Sequence, residues 1–63
     1  MKIRDILSDF KFVETDDNEF VRDIWTVRLE DNNFELFADP EIDSRYYFGC
    51  VGNLETYLKA INK

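Results

Sequence analysis

The side chains that could carry chemistry in this chain are one cysteine and many carboxylates. The sequence has 63 residues, with fourteen Asp or Glu, a single cysteine (Cys50) and no histidine. A catalytic thiolate needs a base or a positive environment that lowers its pKa, and no histidine is present to serve as that base. We therefore interpret Cys50 as a small apolar residue in a strand. The same counts exclude an internal disulfide and the zinc sites built from cysteine and histidine at their usual spacings.

The carboxylates give no specific catalytic or metal-binding pattern. Two carboxylates can perform acid–base chemistry on a sugar bond, but among fourteen acids some pair always lies close. Residues 16–19 are similar in composition to a calcium loop but lack the glycine and the distal glutamate that such a loop requires. So small a domain also leaves little room for a substrate pocket. We expect no enzymatic activity and no cofactor.

The overall charge restricts the class of partner. Fourteen acidic and eight basic side chains give a net charge of -6. A nucleic-acid binder needs a basic face, and anionic membranes repel acidic chains, so we expect neither partner. No apolar run approaches the roughly 20 residues of a membrane span, and residues 1–10 lack the apolar region of a signal peptide. With the unpaired cysteine, these features predict a cytoplasmic protein.

Two amphipathic helix patterns lie at the two ends of the chain. In each, apolar residues recur at i, i+3, i+4 and i+7, which is typical of one buried helix face. The first set is Ile3, Ile6, Leu7 and Phe10, and the second is Leu54, Tyr57, Leu58 and Ile61. Asn53 stands before the second set as a favoured N-cap.

Strand patterns fill the middle of the chain. The polar residues 14–19 indicate a turn between two short strands. Residues 24–30 alternate, with Trp25, Val27 and Leu29 on one face. Residues 31–33 favour a tight hairpin, and residues 34–38 form the return strand, which directs Glu35 and Phe37 outward.

The last strand follows a loop at residues 39–44, where a proline interrupts the sheet pattern. We predict this strand within residues 45–51, with Tyr46, Phe48 and Cys50 on one face and an outward Tyr47 on the other. The order α-β-β-β-β-α with short connections predicts one α+β domain over residues 1–63. Its antiparallel sheet should have three to four strands, with the short N-terminal helix and the C-terminal helix packed on one face.

A partner-binding surface is the remaining candidate site. The acidic residues fall in two groups: Glu14, Asp16, Asp17 and Glu19, and then Glu35, Asp39, Glu41 and Asp43. Carboxylates at alternate strand positions recur about every 6.8 Å, twice the rise of about 3.4 Å per nucleotide in a DNA strand. Such an edge could imitate a phosphate backbone. Outward aromatic residues, Phe37 and Tyr47, could add contacts, because aromatic residues are favoured in interfaces. Trp25 is a further anchor if the face assignment is inverted.

The opening residues 1–7 (MKIRDIL), with the small size, the acidity and the many aromatic residues, resemble small accessory proteins of phages and integrative elements. These include anti-CRISPR and DNA-mimic inhibitors of bacterial defence nucleases. The resemblance is one of size and composition, and it implies an inhibitor whose partner is a nucleic-acid-binding protein.

Two functions are therefore open. The first is an acidic module that occupies a basic, nucleic-acid-binding surface of a partner protein. The second is a structural or regulatory module that dimerises, or docks on a partner, through an aromatic sheet face. Solubility alone also explains an acidic surface on a small domain.

Overall fold

The computed structural model describes residues 3–62; Met1 and Lys2, which belong to the opening segment, and Lys63 lie outside them. Helix α1 (Ile3–Asp9) precedes five strands, and a short 3-10 turn (Val51–Asn53) leads into helix α2 (Leu54–Ile61). The strands are β1 (Val13–Asp16), β2 (Glu19–Arg22), β3 (Trp25–Glu30), β4 (Asn33–Ala38) and β5 (Tyr46–Cys50).

The sheet is an antiparallel meander in the order β1-β2-β3-β4-β5. The predicted α+β class and antiparallel pairing are confirmed, but the sheet has five strands where three to four were predicted. Both short strands beside the predicted turn at residues 14–19 are present, and they are longer than predicted because only Asp17 and Asn18 form the turn. Asn18 has a φ of 58°, a left-handed conformation that asparagine tolerates better than most residues.

The inner face of the sheet and both helices enclose one core. Trp25, Val27 and Leu36 of the central strands pack there with Leu7 of α1 and Leu58 of α2. The predicted inner positions of β3 and β4 are confirmed. Trp25 keeps only 5% of its surface exposed, so it is a core residue and not an interface anchor.

The face predicted for Tyr47 is wrong. Tyr47 lies opposite Leu36 in the register of β4 and β5, and directly opposed residues share a sheet face. It therefore points inward, where its ring lies 6.4 Å from that of Trp25. Tyr46 and Phe48 take the outer face and are more than half exposed.

Arg22 connects both helices to the sheet. Its guanidinium donates to the Phe10 carbonyl oxygen at 2.8 Å and to the Asn62 side-chain oxygen at 3.0 Å. Both acceptors lie just beyond the C-terminal end of a helix, where a positive charge is favourable. The arginine also lies over the Phe12 ring, at 5.1 Å.

Candidate functional site

Two turns of the meander lie side by side at one end of the sheet. Each strand reverses direction, so the β1–β2 turn and the β3–β4 turn share that end. A hydrogen bond joins the first turn to β3, because the Leu29 N–H donates to the Asn18 carbonyl oxygen at 2.9 Å. Asp31 opens the second turn with a φ of 53°. The topology therefore brings together polar residues that are far apart in the sequence.

An acidic groove of about 550 Å³ lies between these turns and the outer face of the sheet. Its carboxylates come from β1, β2, β3, β4 and both turns: Asp16, Asp17, Glu19, Glu30, Asp31 and Glu35. Arg28 is the one cationic side chain that lines the groove within residues 3–62. Six carboxylates and one guanidinium leave five uncompensated negative charges, most of the net charge of -6.

The charge of Arg28 is already engaged within the protein. Arg28 lies between Glu19 and Glu35 in the register of the three central strands. Its Nε donates to the Glu19 carboxylate at 3.1 Å, and its guanidinium lies 5.7 Å from the centre of the Phe37 ring. The arginine therefore compensates Glu19 and leaves the other five acids of the groove without a paired cation within residues 3–62.

The groove unites members of both predicted acidic groups. Asp16, Asp17 and Glu19 of the first group line it together with Glu35 of the second. Sequence reasoning missed Glu30 and Asp31. The predicted β3–β4 hairpin could have indicated them. Glu30 ends β3 and Asp31 begins the β3–β4 turn, which lies beside the acidic β1–β2 turn.

The other predicted acids lie elsewhere: three of them have side-chain partners within the chain, and Glu41 is exposed and donates its backbone N–H. Glu14 pairs with Arg4 of α1, on the inner side of the edge strand. Asp39 accepts a hydrogen bond from the Glu41 backbone N–H at 3.0 Å. Asp43 accepts from the Arg45 side chain at 2.8 Å, and the Arg45 hydrogen bonds hold the pKa of Asp43 below its usual value. The loop acids thus shape the β4–β5 connection.

Outward aromatic residues flank the groove on the same sheet face. Phe37 is outward, as predicted, and its ring is stacked 6.2 Å from that of Tyr46. The Tyr46 hydroxyl donates to the Glu35 carboxylate, and this hydrogen bond raises the pKa of Tyr46 because it stabilises the neutral phenol. A cavity of about 340 Å³ opens beside these rings and is lined also by Pro40 and Arg45.

Cys50 is exposed at the end of β5, on the outer face with Phe48. We expect Cys50→Ala to bind its partner with wild-type affinity and to shift stability by no more than about 0.5 kcal/mol, as exposed substitutions usually do. Binding titration and urea denaturation test this. Loss of binding by a folded variant would show that the thiol takes part in function.

Residues 3–62 contain no group of three or more Cys, Asp or Glu side chains arranged to hold a metal ion. Within the same residues, no helix is long and apolar enough to cross a membrane. No protein-family model matches the sequence, and no curated protein or solved structure matches the chain.

Proposed function

We propose that this chain is a non-enzymatic, acidic protein-binding module that inhibits a partner by occupying its basic, nucleic-acid-binding surface. The acidic groove supplies the contacts through Asp16, Asp17, Glu19, Glu30, Asp31 and Glu35. The partner is a protein such as a nuclease or another nucleic-acid-binding effector. One observation carries the proposal: two acidic turns form a single groove, and the one cation that lines it, Arg28, is already bonded to Glu19.

The spread of the carboxylates favours an extended basic partner over a small cation. The acids follow the groove from the β1–β2 turn to β4 and do not converge on one point. Glu19 and Glu35 lie two strands apart across the sheet, about 10 Å at the usual strand spacing. A row of Lys and Arg side chains that normally contacts phosphates could match such a distribution, and the negative field would speed the encounter.

Competition with nucleic acid tests the proposal. The chain is used as bait in its native cytoplasm, the captured proteins are identified by mass spectrometry, and the strongest is purified. We expect duplex DNA or RNA to displace the chain from this partner. The association rate should fall as salt is raised from about 0.05 M to about 0.5 M, because surface charges are screened over shorter distances. Equal binding in saturating nucleic acid and at both salt concentrations would refute the proposal.

A second candidate is a structural or regulatory module that docks through its aromatic sheet face. The exposure of Tyr46 and Phe48, 54% and 59%, favours it. Apolar association barely weakens as salt rises, so the same salt series separates the two functions.

A further inference from the structure

The two edges of the sheet differ in how they are protected against pairing with another strand. Edge strands expose unpaired backbone groups, which natural proteins shield with charges, bulges or short strands. β1 has all three devices: it has four residues, carries Glu14 and Asp16, and has a register irregularity between them. β5 has the sequence YYFGC, with no Asp, Glu, Lys, Arg or proline. It is therefore the unprotected edge.

Hydrogen bonds at both ends of β5 establish which backbone groups face away from the sheet. The Ala38 N–H donates to the Arg45 carbonyl oxygen, and the Val51 N–H donates to the Asn32 carbonyl oxygen. Bonding alternates along an antiparallel strand, so the odd-numbered residues from 45 to 51 bond to β4. The backbone N–H groups of Tyr46, Phe48 and Cys50 consequently point to the open edge.

We infer that β5 pairs with β5 of a second copy of this chain, antiparallel about a two-fold axis at Phe48. In this register Phe48 lies opposite its own copy, and Tyr46 lies opposite Cys50 of the second chain. The two Phe48 residues exchange backbone hydrogen bonds, and the Cys50 N–H groups donate to the Tyr46 carbonyl oxygens. The two sheets then join into one of ten strands.

The distribution of charge restricts self-association to β5. Each chain carries a net charge of -6, so two copies repel each other over most of their surface. Residues 46–54 are the longest uncharged stretch, nine residues without Asp, Glu, Lys or Arg. Pairing of β5 with itself therefore brings together the two parts of the chain where repulsion is least.

The side chains at this edge fit the same partner. Phe48 is 59% exposed, and antiparallel pairing would place its ring beside the ring of its copy on the outer face. Aromatic pairs across strands stabilise antiparallel sheets. One five-residue edge buries less area than a standard interface of about 1,200–2,000 Å², so we expect a dimer that dissociates on dilution.

This inference goes beyond the proposed function and does not rest on it. The acidic groove extends from β1 and its turn to Glu35 of β4, which lies opposite Phe48 in the register of β4 and β5. A dimer joined at β5 leaves the β1–β2 turn of each groove at the edge of the sheet opposite the contact.

Sedimentation equilibrium over a range of protein concentrations tests the dimer with Phe48→Lys and a matched control, Val13→Lys. Val13 is 64% exposed on the opposite edge, so both variants gain the same charge. We expect wild type and Val13→Lys to approach the dimer mass as concentration rises. Phe48→Lys should dimerise about tenfold more weakly, because the aromatic pair is lost and two ammonium groups face each other at the axis.

Amide hydrogen exchange supplies a measurement on the wild-type protein. Protection of the Phe48 and Cys50 amides should rise with concentration, while that of Tyr47, which bonds to β4, should stay constant. A wild type that is monomeric at every concentration would overturn the inference. Equal weakening of the dimer in Val13→Lys and Phe48→Lys would also overturn it. The same holds if protection of the Phe48 amide does not change with protein concentration.

Discussion

Leu58→Ala should cost this protein a large part of its stability. Leu58 has no exposed surface and packs in the core with Leu7 and Leu54. Truncation of a buried leucine costs about 2 to 5 kcal/mol, because apolar contacts are lost and a cavity remains. A chain of this length has a total free energy of unfolding of about 3 to 9 kcal/mol. The substitution therefore removes a large part of the stability, and urea denaturation followed by circular dichroism measures the loss.

Thr56→Ala is the matched control in the same helix. Thr56 is exposed, and alanine is the better helix former, so the denaturation midpoint should stay the same or rise slightly. A midpoint for Leu58→Ala equal to that of wild type would mean that α2 does not dock on the sheet through this residue.

Reversal of charge in the groove should slow the association with a basic partner strongly. Asp17→Lys combined with Glu30→Lys places a cation on each side of the groove. Both positions are exposed, and neither side chain makes a hydrogen bond or ion pair within residues 3–62. The double variant should associate at least about tenfold more slowly at low salt, because charges near an interface act mainly on the encounter rate. Stopped-flow or biosensor kinetics gives the rate.

The control for overall charge is Asp9→Lys combined with Glu41→Lys. These exposed acids lie in α1 and in the β4–β5 loop, outside the groove, and their reversal changes the net charge by the same amount. The control should bind faster than the groove variant, and its rate should stay sensitive to salt. If the two double variants associate at the same rate, the groove has no specific role and the acids serve solubility.

Both helices and the central hairpin could be predicted from the sequence. The apolar spacing in the two helices and the alternation in β3 and β4 are strong signals, because in both patterns apolar and polar residues fall on different faces of the element. The turn at Asp31 followed from residues that tolerate left-handed backbone angles, and the turn at Asn18 followed from the polar cluster around it. Four of the groove acids were also named in advance, because their clustering is visible in the printed sequence.

The orientation of β5 was decided by tertiary structure alone. Tyr46 and Tyr47 are the same residue type in succession, so the sequence offers no contrast from which to choose the inner face. Pairing with β4 makes the choice, because the register places Tyr47 opposite the buried Leu36. This pairing also leaves Phe48 exposed at an open edge.

The composition of the chain determined that it is acidic and has no histidine base and no internal disulfide, and the spacing of its apolar residues predicted two amphipathic helices and a sheet. Strand pairing in the folded protein established that five strands form one meander and that Glu30 and Asp31 join the acids of the first turn. The physical reason is that side-chain periodicity is a local property, whereas a groove depends on strand register and on which turns share an end of the sheet. Those depend on pairing between segments that are distant in the sequence.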